Sequence, residues 1–188
     1  MQTRLPPPGD LDAPVRELVA ELAHLLGEAA AVDLCVDLLA GADPAEHAHA
    51  LPYLAGSPAY AVLDGSWRDY WARTWGARGL LYVWRDSAAG AVVAGLDDEH
   101  WRPAEMCLKV AAARELAAAS GGAVRLARHE LPRVRGCALR VLGRAGDTEH
   151  VAVVRAGLDD EHADVRRAAA LALERMVARL DLPADELP

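Results

Sequence analysis

Phenylalanine is missing from this 188-residue chain, lysine occurs once, at Lys109, and aromatic residues make up only 5% of it. The apolar share, 53%, is carried mostly by Ala, Leu and Val. A core of such small side chains suits closely packed helices better than a strand-rich interior. The three cysteines, Cys35, Cys107 and Cys137, are odd in number and form no C-x-x-C pair, which speaks against a metal set or a disulfide framework. Buried free thiols in a reducing cytosol are the expectation. No apolar run reaches membrane-spanning length, and the opening residues MQTRLPPPGD hold no apolar signal core, so a soluble, cytoplasmic protein is expected. Nucleophile elbow, P-loop, H-E-x-x-H and glycine-rich fingerprints are lacking too, so no catalytic set and no cofactor are predicted.

Charge is unevenly placed. The net charge is −8, and residues 1–64 account for all of it, with ten acidic groups against Arg4 and Arg16. Within the balanced remainder, 125–144 holds six Arg and a single carboxylate, Glu130. An acidic chain is a poor non-specific binder of nucleic acid, because phosphate neutralisation supplies most of that affinity. A local basic strip remains compatible with this balance.

What the chain does have is a repeat. Gly95-Leu-Asp-Asp-Glu-His100 returns as Gly157-Leu-Asp-Asp-Glu-His162, an offset of 62, and a third copy lies halfway. Pro103, Val134 and Val165 are spaced by 31, as are Cys107, Ala138 and Ala169. A fixed period in this range marks stacked helical units, which bind through extended surfaces. Laid over one another at that step, Ala72/Pro103/Val134/Val165, Gly76/Cys107/Ala138/Ala169 and Leu80/Ala111/Leu142/Leu173 are apolar throughout and step by four. They should form the buried seam.

The predicted elements are helical everywhere. Pro14 opens a first helix that Gly27 stops, and a second covers about 29–40; Asp43-Pro44 opens a third, closed by Pro52 and Gly56. Ser66-Trp-Arg-Asp69 reads as a capping-box variant before a long helix over 67–84. Pairs of short and long helices follow, at about 87–95 with 100–119, 123–130 with 132–145, and 148–157 with 162–179. Gly121-Gly122 reads as a turn between helices. Residues 1–11 and 181–188 are expected to be flexible, with 12–180 a single domain made of N-terminal helices over 12–56 and repeats over 66–180.

Leu158-Asp-Asp-Glu-His-Ala-Asp-Val-Arg-Arg-Ala-Ala-Ala-Leu-Ala-Leu173 and Pro132-Arg-Val-Arg-Gly-Cys-Ala-Leu-Arg-Val-Leu-Gly143 resemble HEAT-type repeats, in the short form also found in phycobilin lyase subunits. The copy at 95–119 has Pro103-Ala104 where Val-Arg is expected, and that at 72–84 keeps Arg73 and the small residues only. The resemblance implies an all-α, α-solenoid fold whose second helices line a concave side. It implies no activity, since the fold serves many roles.

Five histidines, His47, His100, His129, His150 and His162, adjoin a glutamate. Deoxyhypusine hydroxylase, a HEAT-like protein, is similar in holding iron through His-Glu pairs. Here the only His-Glu order is His129-Glu130, and His100 and His162 lie two repeats apart, too far to share one ion at ~8–10 Å per helix layer. Helix-start roles are expected for them, and no metal site.

All five Trp lie between 67 and 101. Trp75 falls in an apolar column with Met106, Cys137 and Ala168, and so belongs to the core. Trp71 aligns instead with Arg102, Arg133 and Asp164, Arg78 with Lys109 and Arg140, and Tyr82 with Arg144 and Arg175. Together with Arg167 these residues are the candidate binding strip, interrupted by Glu105 and Asp164. Arg and exposed aromatics dominate binding hot spots. The expected function is a non-catalytic interaction or scaffold module that takes a protein partner, or an acidic or phosphate-bearing ligand, on its second helices. The alternative is a nucleic-acid-binding protein similar to HEAT-like alkylpurine DNA glycosylases, with Trp101 and Glu105 as the Trp–carboxylate pair.

Overall fold

A computed structural model of the chain describes residues 5–182. Among them are eleven α-helices, six short 3-10 turns and no strand, an all-α fold of the α-solenoid class. The chain divides into two units, Met1–Met106 and Cys107–Pro188.

In the first unit, α1 (Val15–Leu26) packs Leu18, Val19 and Leu22 inward and stops at Gly27. Next comes α2 (Glu28–Leu39), which buries residues around most of its circumference, Ala31, Val32, Leu34, Cys35, Leu38 and Leu39, because it packs on both α1 and α5. Burial pushes the Cys35 thiol up to about 12, so it serves as a small apolar side chain. Asp43-Pro44 opens only a 3-10 turn, Asp43 accepting from the Ala45 N–H at 2.9 Å. The predicted third helix is thus split, and α3 (Leu51–Ala55) is separate and wholly buried. The Tyr53 hydroxyl of α3 donates to the Pro6 carbonyl at 2.8 Å, and Leu5 is buried. The Pro-rich leader expected to be flexible is therefore held at Leu5–Pro8, while residues 1–4 and 183–188 lie outside the described part.

After α4 (Ala59–Leu63), the expected capping box at Ser66 does not form. Its hydroxyl turns back to the Ala61 carbonyl at 3.1 Å, and its N–H donates to Asp64. Consequently α5 (Tyr70–Gly79) begins three residues later than predicted and ends earlier, leaving Trp67 and Tyr82 outside it. Gly76 brings α5 against α2: a β-carbon there would lie 2.6 Å from the Cys35 carbonyl oxygen. The unit continues with α6 (Ala89–Ala94), flanked by 3-10 turns, and the start of α7 (Trp101–Ala113).

The second unit holds the rest of α7, then α8 (Ser120–Leu126), α9 (Pro132–Ala145), α10 (Val151–Ala156) and α11 (Ala163–Leu180). The predicted helix 100–119 stops at Ala113 because Glu115 takes a left-handed φ of 53°, and a 3-10 turn over Ala117–Ala119 follows. Gly121-Gly122, expected as a turn, lies inside α8, where Gly122 is buried. All three apolar columns are buried throughout, with Val134, Ala138 and Leu142 of α9 facing inward alongside Val165, Ala169 and Leu173 of α11.

The α9–α11 pair is closest at Gly143, where an added β-carbon would meet the Ala172 Cα at 2.6 Å and Cβ at 2.7 Å. Gly143→Ala would gain about 1 kcal/mol of helix preference but overpack against backbone, which costs about 1–3 kcal/mol. Thermal melts should show G143A less stable than the parent, with Ala172→Gly recovering part of the loss; a G143A melting point at or above the parent contradicts this packing.

Candidate binding surfaces

Turns between hairpins are held by paired carboxylates and arginines that the sequence repeats at an offset of 62. Arg73 of α5 donates from Nε to Asp98 at 2.7 Å and from Nη2 at 3.2 Å, and reaches Glu99 at 3.4 Å. In the second unit Arg135 of α9 makes the same fork to Asp160, at 2.7 and 2.8 Å, and reaches Glu161 at 3.5 Å. Its remaining nitrogen donates to the His129 and Glu130 carbonyls. Charge-assisted, bidentate bonds of this kind are the strong ones. The guanidinium of Arg135 holds the Asp160 carboxyl below the usual range. In the intermediate register the sequence has Ala104 and His129, residue types that cannot make this pair.

The histidines close helix starts. Nδ1 of His100, His129 and His162 accepts the backbone N–H two residues on, from Arg102 at 3.2 Å, Leu131 at 3.0 Å and Asp164 at 3.3 Å. His150 accepts from Asp147 at 2.9 Å. Each satisfies an orphan donor of a helix N-terminus.

The predicted strip is not one uniform surface. In the first unit, Arg78 turns inward: Nη2 donates to the Leu54 carbonyl at 2.6 Å, Nε is buried without a partner among the described residues, and burial lowers its pKa. Tyr82 is exposed, 46%, but sits past the end of α5, so the helical register that aligned it with Arg144 and Arg175 does not reach it. Trp71 and Arg102 are both half-buried and touch each other. In the second unit, Arg133, Arg140, Arg167 and Arg175 are exposed and Lys109 and Arg144 half-buried. Arg140 lies over the Cys137 sulfur at 3.2 Å, Arg144 reaches Glu115 at 3.9 Å, and Arg167 pairs with Asp164 at 3.0 Å. Glu105 does not interrupt the strip, because it is 5% exposed. Its burial, together with the stacking of Trp101 on His100, leaves the glycosylase-like pair without an accessible carboxylate.

Trp67, Tyr70, Trp71, Trp75, His100 and Trp101 of the first unit form one continuous cluster. Ring centroids of Trp67 and Trp71 are 5.4 Å apart, those of Trp71 and Trp75 6.0 Å, and those of Tyr70 and Trp71 5.5 Å. Tyr70 stacks flat on His100 at 3.6 Å. The Arg102 guanidinium lies 4.9 Å from the Trp71 ring centre and 4.3 Å from that of Trp101. Trp75 is 3% exposed, as its column requires, whereas Trp67 is 43% exposed. The 31-residue columns gave Trp67 no place and aligned Trp101 with Tyr70, Pro132 and Ala163 as a packing position; the signal for both was the crowding of all five Trp into 67–101.

A cleft of about 360 Å³ between the helices of the second unit is lined by Leu139, Val153 and Val165. Its carboxylate, Asp160, is committed to Arg135.

Paired helices with a shared apolar seam and bridged turns define the α-solenoid class. Residues 122–184 match the family model described as HEAT repeats, which supports a HEAT-type architecture for that stretch. The match does not carry the likeness to the phycobilin lyase form. Comparison with curated proteins gave no match. HEAT repeats commonly serve as protein-interaction scaffolds and are generally non-catalytic. No described helix is long and apolar enough to cross a membrane.

His100 generates a pH dependence. Burial, then the neighbouring Arg102 charge, holds its imidazole below the ordinary value of 6.5. The unfolded chain therefore takes the proton first: the stabilisation is complete above 6.5 and drains away as pH falls towards the folded-state value. Melting points of the parent and His100→Asn, compared at about pH 7.5 and about pH 5.5, should differ less at the lower pH. An unchanged difference contradicts the role given to the neutral ring.

Proposed function

We propose that this chain is a non-catalytic interaction module that takes a protein partner, through acidic or phosphate-bearing groups, on the exposed face of its second helices. The observation that carries the reading is α9. Its sequence contains no carboxylate, and Arg133, Arg140 and Arg144 follow one another at steps of seven and four, a single helical stripe. Arg133 and Arg140 are exposed. Arg175 adds an exposed cation on α11, while Arg167 is partly neutralised by Asp164. Lys109 belongs to the same set by register.

A seam of small side chains and bridged turns supports this reading, because a rigid scaffold presents long cations at fixed spacing and lowers the ordering cost of binding. The buried, reduced cysteines Cys35, Cys107 and Cys137 suit a cytoplasmic setting. Charge on such a strip acts through desolvated pairs and steering, so binding should weaken with salt.

The test is Arg140→Glu combined with Arg144→Glu. Affinity for a fluorescein-labelled oligoglutamate peptide, and for a phosphoserine peptide of equal length, is measured at low salt. At least about a tenfold loss for either probe is expected, equivalent to about 1.4 kcal/mol, with an unchanged melting curve. Equal affinity of the double variant and the parent for both probes would remove the strip from consideration.

A further inference from the structure

Among the arginines of the first unit, Arg102 is held unlike the others. Arg73 is tied to Asp98 and Glu99, and Arg78 to the Leu54 carbonyl. Arg102 has no carboxylate partner among the described residues; its guanidinium carbon lies over two indole rings, 4.9 Å from the centre of Trp71 and 4.3 Å from that of Trp101. Cation–π contact with two rings restrains a guanidinium, while its N–H donors lie in its own plane. The edge that carries them matches a carboxylate in bidentate geometry. The arrangement costs little further ordering when a ligand arrives, since the Trp71 ring is itself packed against Trp67, Tyr70 and Trp75.

Two further features lie beside it. Trp67 is exposed by 43% and sits in the loop ahead of α5, its ring 5.4 Å from that of Trp71. Arg68, next to it, is exposed. Asp69, two residues after Trp67, and Glu99, three residues before Arg102, have side chains 80% and 87% accessible and lean on Arg73 at 3.7 and 3.4 Å. A long polyanion laid across this surface would run into those carboxylates. A short peptide with one acid beside one apolar side chain would not.

We infer that Arg102, flanked by Trp71 and Trp101, is the anchor of a docking site for a peptide segment in which an Asp or Glu adjoins a large apolar residue. The acid takes the edge of the Arg102 guanidinium, and the apolar side chain covers Trp67. The inference rests on the reading of the chain as an interaction module and assigns a partner chemistry to the first unit. It makes no use of the α9 stripe.

The experiment selects a displayed library of random twelve-residue peptides on the full-length chain. Selected peptides are then titrated against the parent, Arg102→Gln, Arg102→Lys, Trp67→Ala, and the Arg140→Glu/Arg144→Glu double variant. Intrinsic tryptophan emission is read alongside affinity, because all five Trp lie within 67–101. Enrichment of an acid next to an apolar residue is expected, with at least about a tenfold loss for R102Q and R102K and a smaller loss for W67A. The double variant should bind like the parent, and the emission change on binding should shrink in W67A. Failure to enrich acidic peptides, or R102Q and W67A binding as the parent does, overturns the site. Loss confined to the α9 double variant also overturns it, while leaving the interaction module standing. Tighter, R102Q-sensitive capture of a single-stranded oligonucleotide overturns the peptide assignment.

Discussion

Backbone-close contact between neighbouring second helices is the constraint from which the rest follows. At Gly76 the α5 backbone approaches α2 so nearly that a single added carbon would collide with the Cys35 carbonyl, and at Gly143 the same is true of α9 against Ala172. Helices that approach this closely bury mainly Ala, Gly, Val and Leu, which is why a chain without phenylalanine can still pack an interior within each unit. Small side chains, however, leave few contacts per residue to fix the register of one hairpin on the next. The Arg73–Asp98 and Arg135–Asp160 forks provide that register, because a bidentate guanidinium–carboxylate pair tolerates little sliding.

The same constraint explains which polar residues are left for a partner. Gly136 and Gly143 of α9 lie against Ala168 and Ala172 of α11 and are buried, while the positions 31 residues on, Arg167 and Glu174, are exposed. Stripe residues Arg133 and Arg140 lie off this contact and face outward by register. In the first unit an aromatic cluster is added to the small-residue contacts. Its rings restrain Arg102 in place of a carboxylate.

Much of the fold was legible in the sequence. The 31-residue period identified all three buried columns, and α9 was bounded to the residue. The reading failed where local chemistry had two outcomes. Ser66 could cap a helix forward or close a turn backward, and it closes the turn on Ala61, displacing Trp67 and shortening α5. Gly121-Gly122 carries a turn composition, yet packing retains it in α8. Glu115 ends α7 with a left-handed backbone that no glycine announced. Helical register put Arg133, Arg140 and Arg144 on one face of α9, but it could not see that Arg78 would bend to a carbonyl or that Arg102 would lie over two indole rings. The Arg–Asp forks were written in the sequence as an Arg followed by an Asp-Asp pair whose second member lies 25 residues on, Arg73 with Asp98 and Arg135 with Asp160. They are contacts between hairpins, and only their recurrence at 62 hints at them.

A double-mutant cycle on Arg135 and Asp160, with Arg135→Ala, Asp160→Ala and both together followed by chemical denaturation, tests the account most directly. Neighbouring groups in one network couple by about 0.5–3 kcal/mol, and removing one member of a largely buried pair leaves the other unsatisfied. The account predicts coupling in the upper half of that range, with each single variant nearly as unstable as the double. Additive losses, with no coupling beyond error, would show that the hairpins hold their register without the bridge.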